Sequence, residues 1–87
     1  MPVQVYRIVG VEVFIMFVYP RLRELREDCD LTQEEVGKIL GTTQQQYYKY
    51  EKGIQEIPVH HLITLANLYQ VSIDYILGRT DREKIEL

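Results

Sequence analysis

The stretch TQQQYYKYEKG, Thr43 to Gly53, concentrates three side-chain amides, two ammonium groups and three phenols in eleven residues. On a helix, at about 100° per residue, Gln44, Gln45, Tyr48, Lys49 and Lys52 fall on one continuous arc. Tyr47 and Tyr50 fall on the opposite side and are expected to pack inward, while Glu51 lies at the edge of the arc. A glutamine amide carries a donor beside an acceptor, the pair that matches adenine N6 and N7 in the major groove. A lysine ammonium can donate to guanine O6 or N7, or to a phosphate. A tyrosine ring can meet a thymine methyl, and its hydroxyl can bond a phosphate oxygen. The unpaired amides at the start of such a helix favour an anion.

Other chemistries find less support. His60 and His61 are adjacent, so a helix sends them to different faces, and they lack the spacing of a metal pair. Glu34 and Glu35 read as first-turn residues favoured by the helix dipole. Tyr50, Tyr69 and Tyr75 read as core or interface residues rather than a stacking platform. The sequence has neither a glycine-rich phosphate loop nor a nucleophile–base pairing. No catalytic residue, metal ligand, cofactor or small-molecule substrate is therefore assigned, and the chain is not expected to be an enzyme.

The elements that must position the arc are helical. Pro20 suits a first helical turn, and with Leu22 and Leu25 it predicts a helix over 20–29. Thr32-Gln33-Glu34-Glu35 is a capping box, T-x-x-E, that starts a second helix. Val36, Ile39 and Leu40 form its apolar stripe, and Gly41 ends it. Thr43 can cap a third helix over 44–52, stopped by Gly53. Pro58 opens a fourth, in which Leu62, Leu65, Ala66 and Tyr69 recur at helical spacing. Ser72 caps a short fifth, with Asp74 in its first turn and Gly78 at its end. The charged RTDREKIEL, residues 79–87, reads as a frayed tail or a short helical extension.

Residues 1–19 differ in kind. The odd positions Val3, Val5, Arg7, Val9, Val11, Val13, Ile15 and Phe17 alternate with a set containing Gln4, Gly10 and Glu12, and period two predicts a strand. A lone strand leaves its backbone groups unpaired. The segment therefore folds back around Gly10, pairs with another chain through Val9, Val11, Val13 and Ile15, or is disordered. The alternative is an upstream extension before a start at Met16. Arg7 and Glu12 interrupt the apolar run and no small-residue cleavage site follows, which argues against a secretory signal.

With 87 residues the chain suffices for one domain with one modest core. Its 46% hydrophobic and 26% charged content is ordinary for a globular protein, and no apolar run is long enough for a membrane span. The single Cys29 excludes an internal disulfide and fits a reducing cytosol, so a cytoplasmic location is expected. A net charge of −3 gives no global basic footprint, so any nucleic-acid affinity must come from local charge.

The segment LTQEEVGKILGTTQQQYYKYEKG, Leu31 to Gly53, resembles the helix-turn-helix of phage Cro and repressor proteins. The same group is known as the xenobiotic-response-element family of bacterial transcription regulators. The likeness extends over Arg21 to Thr80, taking in RLRELRED before the motif and LANLYQVSIDYILGRTD after it. It rests on a glutamine opening helix 2, the small Gly37 four residues on, Gly41 four further, and Tyr50-Glu51-Lys52-Gly53 closing helix 3. Gly37 must be small where helix 3 crosses, and Gly41 permits the turn. Two positions depart from the pattern: Gly37 stands where alanine is usual, and Tyr47 where a branched aliphatic is usual.

The resemblance implies an all-α, five-helix repressor-like DNA-binding domain over 20–78; the N-terminal β-strand arm or extension over 1–19, read from its period-two pattern, lies outside the family pattern. Its third helix would enter the major groove. Gln44, Gln45, Lys49 and Tyr48 become base-contacting candidates. Gln33, Thr43, Lys52 and Arg21 become phosphate-contacting candidates. The implied partner is double-stranded DNA with a pseudo-palindromic operator, bound by a homodimer acting as a repressor. Dimer contacts would come from Val9, Val11, Val13 and Ile15, or from helix 5 through Tyr75 and Ile76. The competing class is a protein-interaction module on the same fold, such as an antitoxin-like or regulator-docking subunit, favoured by the acidic pI of about 5.3 and by Tyr48.

Overall fold

The structure, a computed structural model, describes residues 17–83. Five helices follow in order: α1 Leu22–Asp28, α2 Gln33–Ile39, α3 Gln44–Lys52, α4 Val59–Tyr69 and α5 Ile73–Ile76. Among the described residues there is no strand, and the fold is all-α. The expected arm, with Val9, Val11, Val13 and Ile15, lies outside the described residues.

The helix starts follow from side-chain caps. Thr32 Oγ1 accepts from the Glu35 amide at 3.1 Å, and Glu35 Oε1 accepts from the Thr32 amide at 3.0 Å, which completes the capping box. Thr43 Oγ1 accepts from the Gln46 amide, and Ser72 Oγ from the Tyr75 amide. The Thr32 backbone bond is the largest cause holding the Glu35 carboxyl below its usual range. The first helix starts later than the sequence predicts. Pro20 and Arg21 form a turn instead, with the Leu22 amide donating to the Tyr19 carbonyl at 3.3 Å.

One core gathers every helix: Leu22 from α1, Val36 and Leu40 from α2 and its end, Tyr47 and Tyr50 from α3, Leu62 and Leu65 from α4, and Ile76 from α5, with Ile57 and Val71 from the loops. Burying each large aliphatic side chain contributes about 1.5–3 kcal/mol before entropy is counted. Tyr47 and Tyr50 point inward as the helical arc requires, their rings meeting edge to face at 6.5 Å. The expected stripe of α2 is narrower than Val36, Ile39 and Leu40. Ile39 is 44% exposed, because α2 turns only Val36, Gly37 and Leu40 toward the core.

The pairing of α2 with α3 carries the arc. A Cβ on Gly37 would stand 3.0 Å from the Thr43 carbonyl oxygen and 3.3 Å from the Gln44 amide nitrogen. The two helices approach there backbone to backbone, so Gly37 sets the crossing that the sequence predicts.

The C-terminal residues 79–83, read from the sequence as the start of a frayed tail or a short helical extension, are held by backbone and side-chain bonds. The Ser72 amide donates to the Glu83 carbonyl at 2.6 Å. Arg21 donates to the Thr80 carbonyl at 3.1 Å and to Asp81 Oδ1 at 2.9 Å, tying this segment to the start of α1.

Candidate nucleic-acid interface

The turn over 40–43 delivers α3 with its polar side outward. Gln44, Gln45, Tyr48 and Lys49 are exposed and, with Gln33 from α2 and Ile54 from the following loop, line one depression of about 400 Å³. The four base-contacting candidates are thus brought together on one surface. Gln33 joins them from the neighbouring helix. Thr43 sits at the N-terminus of α3, its hydroxyl already accepting the Gln46 amide.

Lys52 closes the arc at its far end. Its ammonium lies 5.8 Å from the Tyr48 ring centroid, which holds the ring's face toward a cation. Lys52 also borders a polar depression of about 340 Å³ with Arg23, Arg26, Gln33 and Glu51. Among the described residues neither Lys49 nor Lys52 has a carboxylate within salt-bridge range. The local charge that the acidic composition denies to the whole chain is present on this face.

One carboxylate could have spoiled it. Glu51 belongs to α3, at the margin of the arc, yet its side chain is only 6% exposed. Arg26 from α1 grips it with two bonds, Nε to Oε2 at 2.6 Å and Nη2 to Oε1 at 3.3 Å. The remaining Arg26 nitrogen, Nη1, donates to the Leu31 carbonyl at 2.9 Å. Gln33 Nε2 adds a long bond of 3.4 Å to Glu51 Oε1. Burial pushes the Glu51 carboxyl up, but the hydrogen bonds and charge of Arg26 outweigh it and hold the group below its ordinary value. Burial and the neighbouring Glu51 drive the Tyr47 phenol upward. The Tyr47 hydroxyl is close enough to Glu51 to feel its charge, yet within normal bond limits it is buried without a hydrogen-bond partner.

Two expectations are corrected. Arg21 does not present a free guanidinium to a phosphate. Its side chain is 19% exposed, donates to the Tyr75 carbonyl at 2.7 Å as well as to Thr80 and Asp81, and stacks 4.1 Å over the Tyr75 ring. Ile76 offers no dimer surface, since it is fully buried in the core, and Tyr75 is half-buried beneath Arg21. The two histidines also lie closer than adjacent helical positions imply: their ring centroids are 4.2 Å apart, with His61 packed against Tyr50. Among the described residues no group of three or more His, Cys, Asp or Glu could hold a metal ion, and no helix is long and apolar enough to cross a membrane.

Sequence reasoning missed three contributors. The Arg26–Glu51 pair spans 25 positions, and no local spacing announces it. Gln46, outside the arc, bonds Gln55, Nε2 to Oε1 at 2.8 Å, and so pins the loop against α3. Ile54 was signalled by its place, an isoleucine directly after a helix-stopping glycine in an otherwise polar stretch.

Two short helices crossing at a glycine, with the second offering an amide- and lysine-bearing face, define a helix-turn-helix protein. The helix-turn-helix family profile matches residues 22–76. The chain is 44% identical over 61 residues to YobD, an uncharacterized HTH-type transcriptional regulator of Bacillus subtilis, covering 70% of this chain and 54% of that one. It is 40% identical over 61 residues to RstR, the cryptic phage CTXphi transcriptional repressor of Vibrio cholerae, covering 70% and 55%. It is 34% identical over 64 residues to ImmR, an HTH-type transcriptional regulator of Bacillus subtilis, covering 74% and 50%. The chain spans about half the length of the curated relatives it matches. It belongs to the helix-turn-helix family of the phage Cro and repressor type.

Proposed function

We propose that this chain binds double-stranded DNA sequence-specifically, with α3 in the major groove, and regulates transcription as a cytoplasmic repressor. The observation that carries the reading is the single depression uniting Gln44, Gln45, Tyr48 and Lys49 on the exposed side of α3. Relatives named as transcriptional regulators, one of them a phage repressor, support it. Gln44, Gln45, Lys49 and Tyr48 meet base edges. Gln33, Thr43 and Lys52 meet phosphates, and Arg21 is withdrawn from that set by its contacts with Tyr75, Thr80 and Asp81. A unit this small gains affinity by dimerising on a pseudo-palindrome, with half-sites about one helical turn apart. The segment holding Val9, Val11, Val13 and Ile15 supplies the dimer contact in this reading.

Selection from a randomised duplex library, followed by titration of the enriched pool at low and physiological salt, tests the whole reading. The expected result is an enriched palindrome whose affinity falls steeply with salt. Flat, weak binding without enrichment would overturn it in favour of a protein-interaction module. Two variants then separate the roles. Gln44→Ala is expected to cost about 1–3 kcal/mol and to relax one base position; equal weakening on all sequences would remove Gln44 from base reading. Lys52→Ala is expected to weaken every sequence alike and to reduce the salt slope by about one. An unchanged slope would remove Lys52 from the phosphate set.

A further inference from the structure

The loop after α3 places an apolar side chain where the arc is otherwise polar. Ile54 is 62% exposed. Its amide donates to the Lys49 carbonyl at 2.9 Å, and the next residue is held by the Gln46–Gln55 bond. The loop is therefore folded back along α3, and Ile54 enters the same depression as Gln33, Gln44, Gln45, Tyr48 and Lys49. A single exposed isoleucine is ordinary on a protein surface. An isoleucine fixed among three amides, an ammonium and a phenol ring is a different arrangement, because all of them would face one ligand.

In the major groove the base edges present donors, acceptors and one apolar group, the pyrimidine 5-methyl of thymine. Cytosine acquires the same group when it is methylated. An A·T pair shows that methyl on the same edge as the adenine N6 and N7 that a glutamine amide matches. A surface combining amides with one aliphatic side chain fits such an edge in kind. Guanine O6 and N7 opposite cytosine would leave Ile54 against polar atoms.

We infer that Ile54 is a specificity-determining residue that packs against a pyrimidine 5-methyl group in each operator half-site. This rests on the DNA-binding reading above. It adds a base-reading position outside the recognition helix itself.

The test uses the enriched operator and the full chain. Each thymine is replaced in turn by uracil, and each cytosine by 5-methylcytosine, and affinity is measured for the wild type and for Ile54→Ala. At one position per half-site, the wild type should bind the methylated base about fourfold more tightly, the worth of one buried methyl. Thymine and 5-methylcytosine are told apart by which arm shows the effect. In Ile54→Ala that preference should vanish while the operator is still selected over random duplex. Thermal melting of Ile54→Ala should match the wild type, since the residue is mostly exposed. Methyl preferences that persist unchanged in Ile54→Ala, or no preference at any position, would overturn the inference and leave DNA binding standing. Absence of any enriched operator would overturn both.

Discussion

Replacing Arg26 by methionine is expected to cost about 3–5 kcal/mol of folding stability, because it leaves Glu51 buried with its charge uncompensated. Arg26 and Glu51 are 13% and 6% exposed, so solvent screens the pair little. Denaturant titration of the single variants and of Arg26→Met/Glu51→Met measures the coupling. The double variant should recover much of the loss, since two apolar side chains leave no charge to desolvate. A loss below about 1 kcal/mol would mean that the pair behaves as an exposed one.

The pH dependence gives the same prediction a sign. In the wild type the folded Glu51 carboxyl lies below its ordinary value of 4.5, so the unfolded chain binds more protons there. The contribution is complete above about pH 4.5 and is lost as pH falls through the folded value. Glu35, also held low, adds to the same acid-side loss. Without Arg26, burial is opposed only by the neighbouring Tyr47 and Gln33 side chains, and the Glu51 carboxyl is expected to rise above the unfolded value. The folded variant then binds the extra proton, and its stability rises as pH falls toward that range. The difference between wild-type and variant slopes isolates Glu51 from Glu35. Parallel slopes would sink the assignment.

The pair also bears on function. Glu51 lies on α3, the helix proposed to enter the major groove, where an unpaired carboxylate would repel phosphate. Arg26 turns that charge inward and ties α1 to α3, while Gln33 bonds the same carboxylate from α2. The face that Lys49 and Lys52 leave positive thus depends on a side chain from a helix that bears no assigned base contact.

What could be read from the sequence was local. Thr32, Thr43 and Ser72 announce their helices because a hydroxyl three residues before an unpaired amide is a short-range signal. Tyr47, Tyr48 and Tyr50 sort into two inward and one outward because helical periodicity fixes their directions. The misreadings have separate causes, distant partners in one case and too short or too wide a pattern in the others. Arg21 looked free because Tyr75, Thr80 and Asp81 are more than fifty residues away in sequence. Ile76 looked available because a four-residue helix has too few positions to show which side is buried. Ile39 looked buried because the apolar stripe was drawn one residue too wide. The same holds for the candidate site. Gln44, Gln45, Tyr48 and Lys49 share one helix and were legible, whereas Ile54 and Glu51 owe their places to a loop fold and to a distant arginine.

Gly53→Ala is expected to be the most damaging of the glycine substitutions at helix ends, and Gly41→Ala provides its control. Both glycines sit in the left-handed region, at φ 74° and 73°. An alanine at either must adopt that conformation, at a cost of about 1–3 kcal/mol. At Gly41 nothing lies within 4 Å of the added carbon, so the conformational cost is the whole effect. At Gly53 the added carbon would collide with the Phe17 carbonyl oxygen. The obstacle is backbone, and it cannot swing aside as a flexible side chain would. Moving Phe17 breaks the hydrogen bond that its amide donates to the Gly53 carbonyl, now 3.2 Å, and disturbs Tyr19, whose hydroxyl accepts the Ile57 amide at 2.9 Å. Ile57 is a core residue on the same loop as Ile54 and Gln55, which is held against α3. Chemical denaturation should therefore show a larger loss for Gly53→Ala than for Gly41→Ala. Equal losses would mean that the segment at Phe17 yields freely and takes no part in holding the end of α3.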